Sequence, residues 1–359
     1  MTPILGFFTP WIIYAMITLL HMLIPARQVV GYVNKTGTNT KLKYRLNGLP
    51  VLFCSLGIWI ALGHLDIVPY DWLYTVRWYS LLGAFVLGVL YTFWIVLPHR
   101  STGKSFLADL YLGRLENPQY KDGFIDAKMW LYLIGAVMLA LNTLSFVAYH
   151  YLTFGSESSP GIFLSAGLLM YFILDYLTFE KVHLYTYDIF AERVGFKLGW
   201  GCLTFYPYFY SIPIWATAHM PSAGNSTWQL ILFALIFFIG WSLARGANMQ
   251  KFYFKTQQEK TFLGIRPETI SDGKRTLLVN GFWGMSRHIN YLGEILMATG
   301  IVLSIGHFSC VWPWLYPLYY IALLFPRQID DDKRCQLKYG QLWDKYSSRV
   351  KYKIIPYVY

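Results

Sequence analysis

Charge is what this 359-residue sequence has least of. Only 14% of its residues are Asp, Glu, Lys or Arg, against about a quarter in soluble domains. That deficit excludes the two soluble domains that length alone would allow. Acids are scarcer than bases, 19 against 30 Lys and Arg, for a net charge of +11. Cysteine is rare too: Cys54, Cys202, Cys310 and Cys335 have neither metal nor disulfide spacing, and the first three read as thiols in apolar surroundings. There is no Gly-x-Gly-x-x-Gly run opening a strand–helix unit and no Walker loop. A nucleotide would therefore have to be held by something other than a Rossmann domain. No His/Cys/carboxylate set has metal spacing, and no Ser/His/Asp arrangement stands out. Low-complexity segments, linkers and repeats are missing as well.

What the chain has instead is hydrophobicity, 55% of residues, with 19% aromatic. Apolar stretches at about 4–24, 50–65, 76–97, 129–152, 161–179, 198–218, 228–246, 291–308 and 311–325 approach or reach the ~20 residues that cross a bilayer. The expected fold is an all-α polytopic transmembrane helix bundle of about nine to ten spans, one domain over 1–359. The first stretch has no basic residue before it and is too long for a signal-peptide core, so it reads as the first span. Segment 25–49 carries Arg27, Lys35, Lys41, Lys43 and Arg45 and no acid; segment 247–290 and the tail after 326 are also basic. Positive-inside counting puts these and the C-terminus in the cytoplasm and the N-terminus outside. The net charge is thus topological. Bases spread over loops between spans do not form a nucleic-acid surface, and oligomeric state cannot be read.

Ionisable residues inside or beside spans are functional candidates, because burying them without partners costs several kcal/mol. The densest run is Leu277 to Glu294, which sets Arg287, His288, Asn290 and Glu294 beside glycines and Trp283 at the mouth of an apolar helix. Around the fifth span lie Asp175, Glu180, His183, Tyr185, Asp188 and Glu192. Asp175 is either a structural carboxylate bonded to a neighbouring helix or a catalytic one. Arg245, Asn248, Gln250, Lys251 and Lys255 leave the seventh span. Lys251 and Lys255 share one face if the helix continues, as a phosphate contact or as ordinary anchoring at a span end. In the tail, Arg327 and Asp331 are spaced to pair on one helical face, and the three acids Asp330, Asp331 and Asp332 read as a solvated turn. Aromatic residues between basic ones there suit a flat ligand that carries phosphates.

These residues resemble the sterol reductases: the delta-14 sterol reductase, 7-dehydrocholesterol reductase, sterol C-24(28) reductase and lamin B receptor family. The likeness runs over about 105–359, with a more variable stretch at 1–104. Leu277, Leu278, Gly281, Trp283, Gly284, Arg287, His288, Asn290, Tyr291 and Gly293 fit the family's Leu-Leu-x-Ser-Gly-Trp-Trp-Gly-x-x-Arg-His-x-Asn-Tyr-x-Gly-Asp signature. Asp331, Cys335, Lys338, Tyr339, Gly340, Trp343 and Tyr346 fit its tail motif. Arg245, Asn248, Gln250 and Lys251 fit a third element, Gly113, Arg114, Asn117 and Pro118 a fourth, and a central segment with Asp175, Glu180 and Asp188 a fifth.

The resemblance implies reduction of a sterol carbon–carbon double bond with NADPH, the C-14 bond first, with delta-7 or delta-24/24(28) bonds as alternatives. It implies that the C-terminal half forms a cytosol-facing dinucleotide pocket and that the sterol enters from lipid. By residue-wise transfer, Lys251, Arg327 and Asp331 are cofactor-phosphate and cofactor-orienting groups. Lys255, Leu278, Trp283, Arg287, His288, Asn290, Tyr291, Cys335, Tyr339 and Tyr346 complete that pocket. An isolated alkene must be protonated before it takes hydride, so a general acid is needed. Asp175 and Glu180 are candidates, with Tyr171 and Tyr185 as phenolic alternatives. Several positions depart from the family pattern. Lys255 stands where Arg is usual and loses a bidentate fork. Glu294 stands for Asp, and Asp330 for Arg beside the expected cofactor phosphates. Two competing readings remain: a membrane methyltransferase of the isoprenylcysteine type, using S-adenosylmethionine, which Arg287, His288, Tyr291 and Gly293 also fit, and a non-catalytic sterol-binding scaffold.

Overall fold

The computed structural model describes residues 2–35, 37–121, 123–257 and 261–359. Lys260 and Glu259, which belong to the basic segment 247–290, lie outside the described residues. The chain forms two compact units, Met1–Ser222 and Ala223–Tyr359.

The first unit is a bundle of α1 (Thr2–Leu23), α2 (Gly48–His64), α3 (Arg77–Val96), α4 (Ala127–Phe154) and α5 (Pro160–Thr178). Between α1 and α2 the chain makes an antiparallel hairpin, β1 (Arg27–Asn34) with β2 (Lys41–Leu46); before α4 it makes a second, β3 (Gln119–Tyr120) with β4 (Ile125–Asp126). Helix α4 is the core of the unit: Leu131, Ile134, Ala136, Val137, Met138, Leu139 and Ala140 are all buried. It starts sharply because the Asp126 carboxylate accepts the Lys128 and Met129 N–H groups at 3.1 and 3.0 Å, an N-cap that satisfies two otherwise orphaned donors.

The second unit is built on α6 (Thr227–Thr256), α7 (Ile289–Ile305), α8 (Val311–Tyr339) and α9 (Gln341–Arg349), with a hairpin of β5 (Thr269–Ser271) and β6 (Thr276–Leu278) between α6 and α7. Lipid is as apolar as leucine, so the close fit of small residues rather than apolar transfer drives helices together in a membrane. The α6–α7 crossing follows that rule. A Cβ added at Gly293 would lie 2.5 Å from both the Gly240 carbonyl oxygen and the Ala244 nitrogen. The two backbones touch there, one turn beyond the first polar residues of α7.

Helices α1, α3, α5 and α6, and α4 with the turn after it (Ala127–Glu157), are long and apolar enough to cross a membrane; α2 and α7 are shorter apolar helices. The expected helical membrane bundle is therefore present, with two differences. The three hairpins are small strands in segments read as loops. The stretch 198–218 is not one span but a broken one: Phe196–Trp200, a π-helical turn Gly201–Phe205, then Tyr206–Phe209 and Ile212–Trp215. Pro207 and Pro213 cannot donate to a helical ladder, and the Asn142 amide of α4 instead donates to the Pro207 carbonyl at 3.0 Å.

Candidate cofactor site

The dense polar run of the second unit starts at the end of β6, where Leu278 is buried. The chain reverses at Gly281, whose φ is +64° and where a Cβ would lie 2.2 Å from Nε2 of Gln250. Only glycine meets both conditions. Gln250, buried on α6, accepts the Phe282 N–H at 3.0 Å and donates to the Asn280 carbonyl at 3.3 Å. This clasp fixes the next turn, Phe282–Met285. There the Trp283 indole N–H donates to the Ala247 carbonyl at 2.8 Å, and the Lys251 ammonium sits 5.4 Å from the ring centroid, within cation–π range. Tyr346, buried on α9, donates to the Trp283 carbonyl at 3.3 Å. Burial pushes that phenol well up, so it stays a donor.

Arg287 and His288 are held by the tail of the chain. Their N–H groups donate to the Tyr352 and Lys353 carbonyls at 2.9 and 2.8 Å, and the Ser286 hydroxyl donates to the Ile354 carbonyl at 2.9 Å. Their side chains meet α8. Arg287 Nη1 lies 3.2 Å from Asp332 Oδ2. His288 Nε2 lies 3.6 Å from Asp332 Oδ1, too far for a hydrogen bond. His288 precedes α7 and stacks on Tyr291, centroids 4.9 Å apart at 21°, and the Tyr291 hydroxyl donates to Asp331 Oδ2 at 2.8 Å.

Buried polar atoms are left over. Arg287 Nε, His288 Nε2, Asn290 Oδ1 and Asp332 Oδ1 find no hydrogen-bond partner among the described residues. Each such atom costs about 1–3 kcal/mol if nothing satisfies it; His288 Nε2 and Asp332 Oδ1 face each other at 3.6 Å, which leaves Arg287 Nε and Asn290 Oδ1 as candidates to meet a polar ligand or ordered solvent.

All thirteen residues expected to hold a cofactor lie in this unit. Helix α6 does continue through Lys251 and Lys255, one turn apart, and Arg327 and Asp331 are one turn apart on α8. Cys335 and Tyr339 pack against the cluster of Val279, Trp343, Tyr346 and Val350; burial pushes the Cys335 thiol up to about 11, so it is neutral rather than nucleophilic. The acid run needs correction. Residues 330–332 are not a turn but lie inside α8, which continues to Tyr339. Only Asp330 is exposed; Asp331 and Asp332 are half-buried and bonded, so the repulsion expected of three acids is relieved. Asp332 and Gln328, whose amide donates to Asp332 Oδ2 at 2.7 Å, were not singled out by sequence reasoning. Their helical spacing was the available signal.

The four candidates for a general acid lie in the first unit. Glu180 follows the break at the end of α5, is buried, and accepts the Gly48 N–H at the start of α2 at 3.1 Å. Gly48 admits it, since a Cβ there would lie 2.6 Å from the Glu180 carboxylate. Burial pushes Glu180 up to about 7, against the lowering effect of that N–H. Tyr171 and Asp175 lie one turn apart on α5, half-buried. Tyr185 packs against Val29, Leu42, Tyr44, Met129, Leu184 and Ile189, and its phenol is raised by burial.

The chain is 34% identical over 353 residues, 94% of its length and 91% of the relative's, to the delta(14)-sterol reductase of Arabidopsis thaliana. It is 33% identical to the delta(14)-sterol reductase TM7SF2 of Mus musculus, covering 94% of this chain and 82% of that one. To the 7-dehydrocholesterol reductase of Xenopus laevis it is 29% identical over 357 residues, 92% of this chain and 72% of that one. The sequence pattern of a single family matches residues 4–359, well beyond the stretch that carries the motifs. With the match spanning both units, the chain belongs to the ergosterol biosynthesis ERG4/ERG24 family.

Proposed function

We propose that this protein reduces a carbon–carbon double bond of a sterol with NADPH, by protonation of the alkene followed by hydride transfer, and that the bond is at C-14. The observation that carries the reading is the group of unmatched buried polar atoms on Arg287, His288, Asn290 and Asp332, in a chain whose relatives are named as sterol reductases. That group fits a dinucleotide. Arg287 Nε is a donor suited to a phosphate or ribose oxygen. Asn290 Oδ1 is an acceptor suited to a carboxamide or ribose hydroxyl. Lys251, Lys255 and Arg327 supply basic side chains for phosphates, and Trp283, Tyr291, Tyr339 and Tyr346 supply flat faces. NADPH, when bound, supplies the hydride.

The rest of the chemistry belongs to the chain. One alkene carbon takes a proton from a general acid, the other becomes cationic and takes the hydride, and the saturated sterol and NADP+ leave. Glu180 suits the acid: with its carboxyl raised to about 7, it is partly protonated at neutral pH, where an ordinary carboxyl is not. Tyr171, Asp175 and Tyr185 are the alternatives. The sterol reaches the protein from lipid. The basic segments 25–49 and 247–290 and the basic tail put the C-terminal half on the cytosolic face, in the endoplasmic reticulum of a eukaryote or the inner membrane of a bacterium.

The test is purified protein given NADPH and, in turn, delta-14, delta-7, delta-24 and delta-24(28) sterols, with products read by mass spectrometry. The expected result is NADPH-dependent saturation of the delta-14 sterol. Saturation of another bond moves the substrate assignment. No NADPH consumption with any sterol, together with methyl transfer from S-adenosylmethionine, overturns the proposal.

A further inference from the structure

We infer that Asp332 is a positioning residue for the cofactor wall. Held in turn by Gln328 and Tyr359, it orients the Arg287 guanidinium through Nη1 so that Nε, unmatched among the described residues, is left for a ligand. The inference rests on the reading of this cluster as a dinucleotide pocket.

Among the described residues, Asp332 is the charged group that both side chains approach. Its Oδ2 takes Arg287 Nη1 at 3.2 Å and the Gln328 amide at 2.7 Å; its Oδ1 faces His288 Nε2 at 3.6 Å. Gln328 is almost fully buried and is itself oriented, because its Oε1 accepts the Tyr359 hydroxyl at 3.2 Å. Tyr359 is fixed in turn: its ring stacks on Phe325, centroids 5.4 Å apart, and the Lys353 ammonium lies 4.6 Å from its centroid. The same tail segment holds the backbone of Ser286, Arg287 and His288. One strap thus fixes the main chain of the Arg-His step directly and its side chains through Gln328 and Asp332.

Charge gives the arrangement its purpose. Arg287 is about nine-tenths buried at its side chain, and an unpaired guanidinium there would be expensive. Asp332 neutralises it through Nη1 and leaves Nε without a protein partner. Arg287 therefore acts as a directional donor in a neutral pair rather than as a net positive charge, and the charge that phosphates require is left to other bases of the unit, Arg327 among them. A ligand-facing group held by a second, buried carboxylate is pre-organised, so binding spends less on ordering it.

The experiment measures kcat and the KM for NADPH for the wild type, Asp332→Asn and Asp332→Glu, with direct NADPH binding to the purified proteins read by tryptophan fluorescence. Asp332→Asn keeps the shape and removes the charge. Its KM and dissociation constant are expected to rise about tenfold, the loss of one charge-assisted contact, while kcat falls much less. Asp332→Glu restores a carboxylate and is expected to recover part of the affinity. If Asp332→Asn does not fold, Gln328→Met removes the orienting amide and leaves the carboxylate, and a rise of about threefold in KM is expected. A purely structural role would lower the melting temperature and the yield of active enzyme without moving KM, and an unchanged KM in the variant that folds overturns the inference. Failure of the underlying reading looks different: the wild type itself would then neither bind NADPH nor consume it.

Discussion

Two buried ion pairs, one in each unit, are completed in different ways. In the first, Arg114 gives Nε to Asp109 at 3.0 Å and Nη1 to the His99 and Val96 carbonyls at 2.6 and 3.2 Å; Asp109 also takes the Thr102 N–H and hydroxyl. Lys128, almost fully buried, gives its ammonium to Asn117 Oδ1 and the Ile189 carbonyl at 3.0 and 2.6 Å. These groups are saturated by protein. In the second unit Arg287 and Asp332 form a pair of similar burial that is left incomplete at Arg287 Nε and Asp332 Oδ1. Both sets come from motifs of the same family resemblance. Saturation separates them: the Arg114 set finds its partners within the protein, whereas Arg287, His288 and Asn290 keep buried polar atoms with no partner among the described residues.

The largest effect is expected where the contrast is sharpest. Lys251→Ala and Asp331→Ala should each abolish turnover, a loss of at least ~100-fold, while each purified protein keeps a melting temperature close to that of the wild type. Lys251 gives up an ammonium near Trp283 and Asp331 an acceptor for Tyr291. Retained turnover in both would remove the cofactor assignment and leave the unmatched atoms to ordered water.

Glu180 is a buried acid of the first unit that is not saturated as Asp109 is. It is buried, yet its contact to the Gly48 N–H leaves it raised to about 7. The sign follows from that. Its folded value lies above the unfolded one, so its carboxyl destabilises the fold as pH rises towards and through about 7, where it must ionise, and is neutral to stability at low pH where both states are protonated. As a general acid it should make kcat fall above pH about 7. Glu180→Gln keeps an acceptor for Gly48 and removes the proton, so a drop of about 10²- to 10⁴-fold in kcat is expected with the KM for NADPH unchanged. A flat pH–rate profile with an active Gln variant would return the role to Tyr171, Asp175 or Tyr185.

Arg114→Ala tests the saturated set. Removing one partner of a buried pair leaves an uncompensated carboxylate. The expected outcome is a melting temperature lower by on the order of 5 °C in detergent, with kcat and KM per folded molecule near the wild type. A change in KM without a loss of stability would mean that saturation does not sort the two sets.

The same contrast explains how far the amino-acid sequence could be read. Long apolar periodicity is visible in one dimension, so the membrane helices and the polar mouth of α7 were legible. The break at 198–218 was less so, because its composition stays apolar and only Pro207 and Pro213 betray it. The hairpins have too few residues to display a period. Lys251 and Lys255 were legible because a helix repeats every turn. Asp332 was not, because what distinguishes it from Asp330 is Arg287, a partner remote in sequence, and Gln328, which a list of acids omits. Pairing within a helix can be inferred from spacing; pairing between helices needs the fold.

The smallest effect is expected at the exposed ion pair between Arg349 of α9 and Glu268, whose side chains are 53% and 60% exposed. Here both partners keep their water when they meet, salt screens them, and ordering two long side chains offsets much of the attraction, so such pairs contribute about 0–1 kcal/mol. Arg349→Ala, read by thermal unfolding at low and physiological salt, should lie within about 0.5 kcal/mol of the wild type and move no kinetic constant. The pair resembles Arg114–Asp109 in chemistry and differs in exposure. It resembles Arg287–Asp332 in lying in the second unit and differs in having nothing buried to satisfy. A loss as large as that of Arg114→Ala would therefore show that position in the unit, and not burial and saturation, sorts these pairs, and the distinction between the two units would have to be rebuilt on that basis.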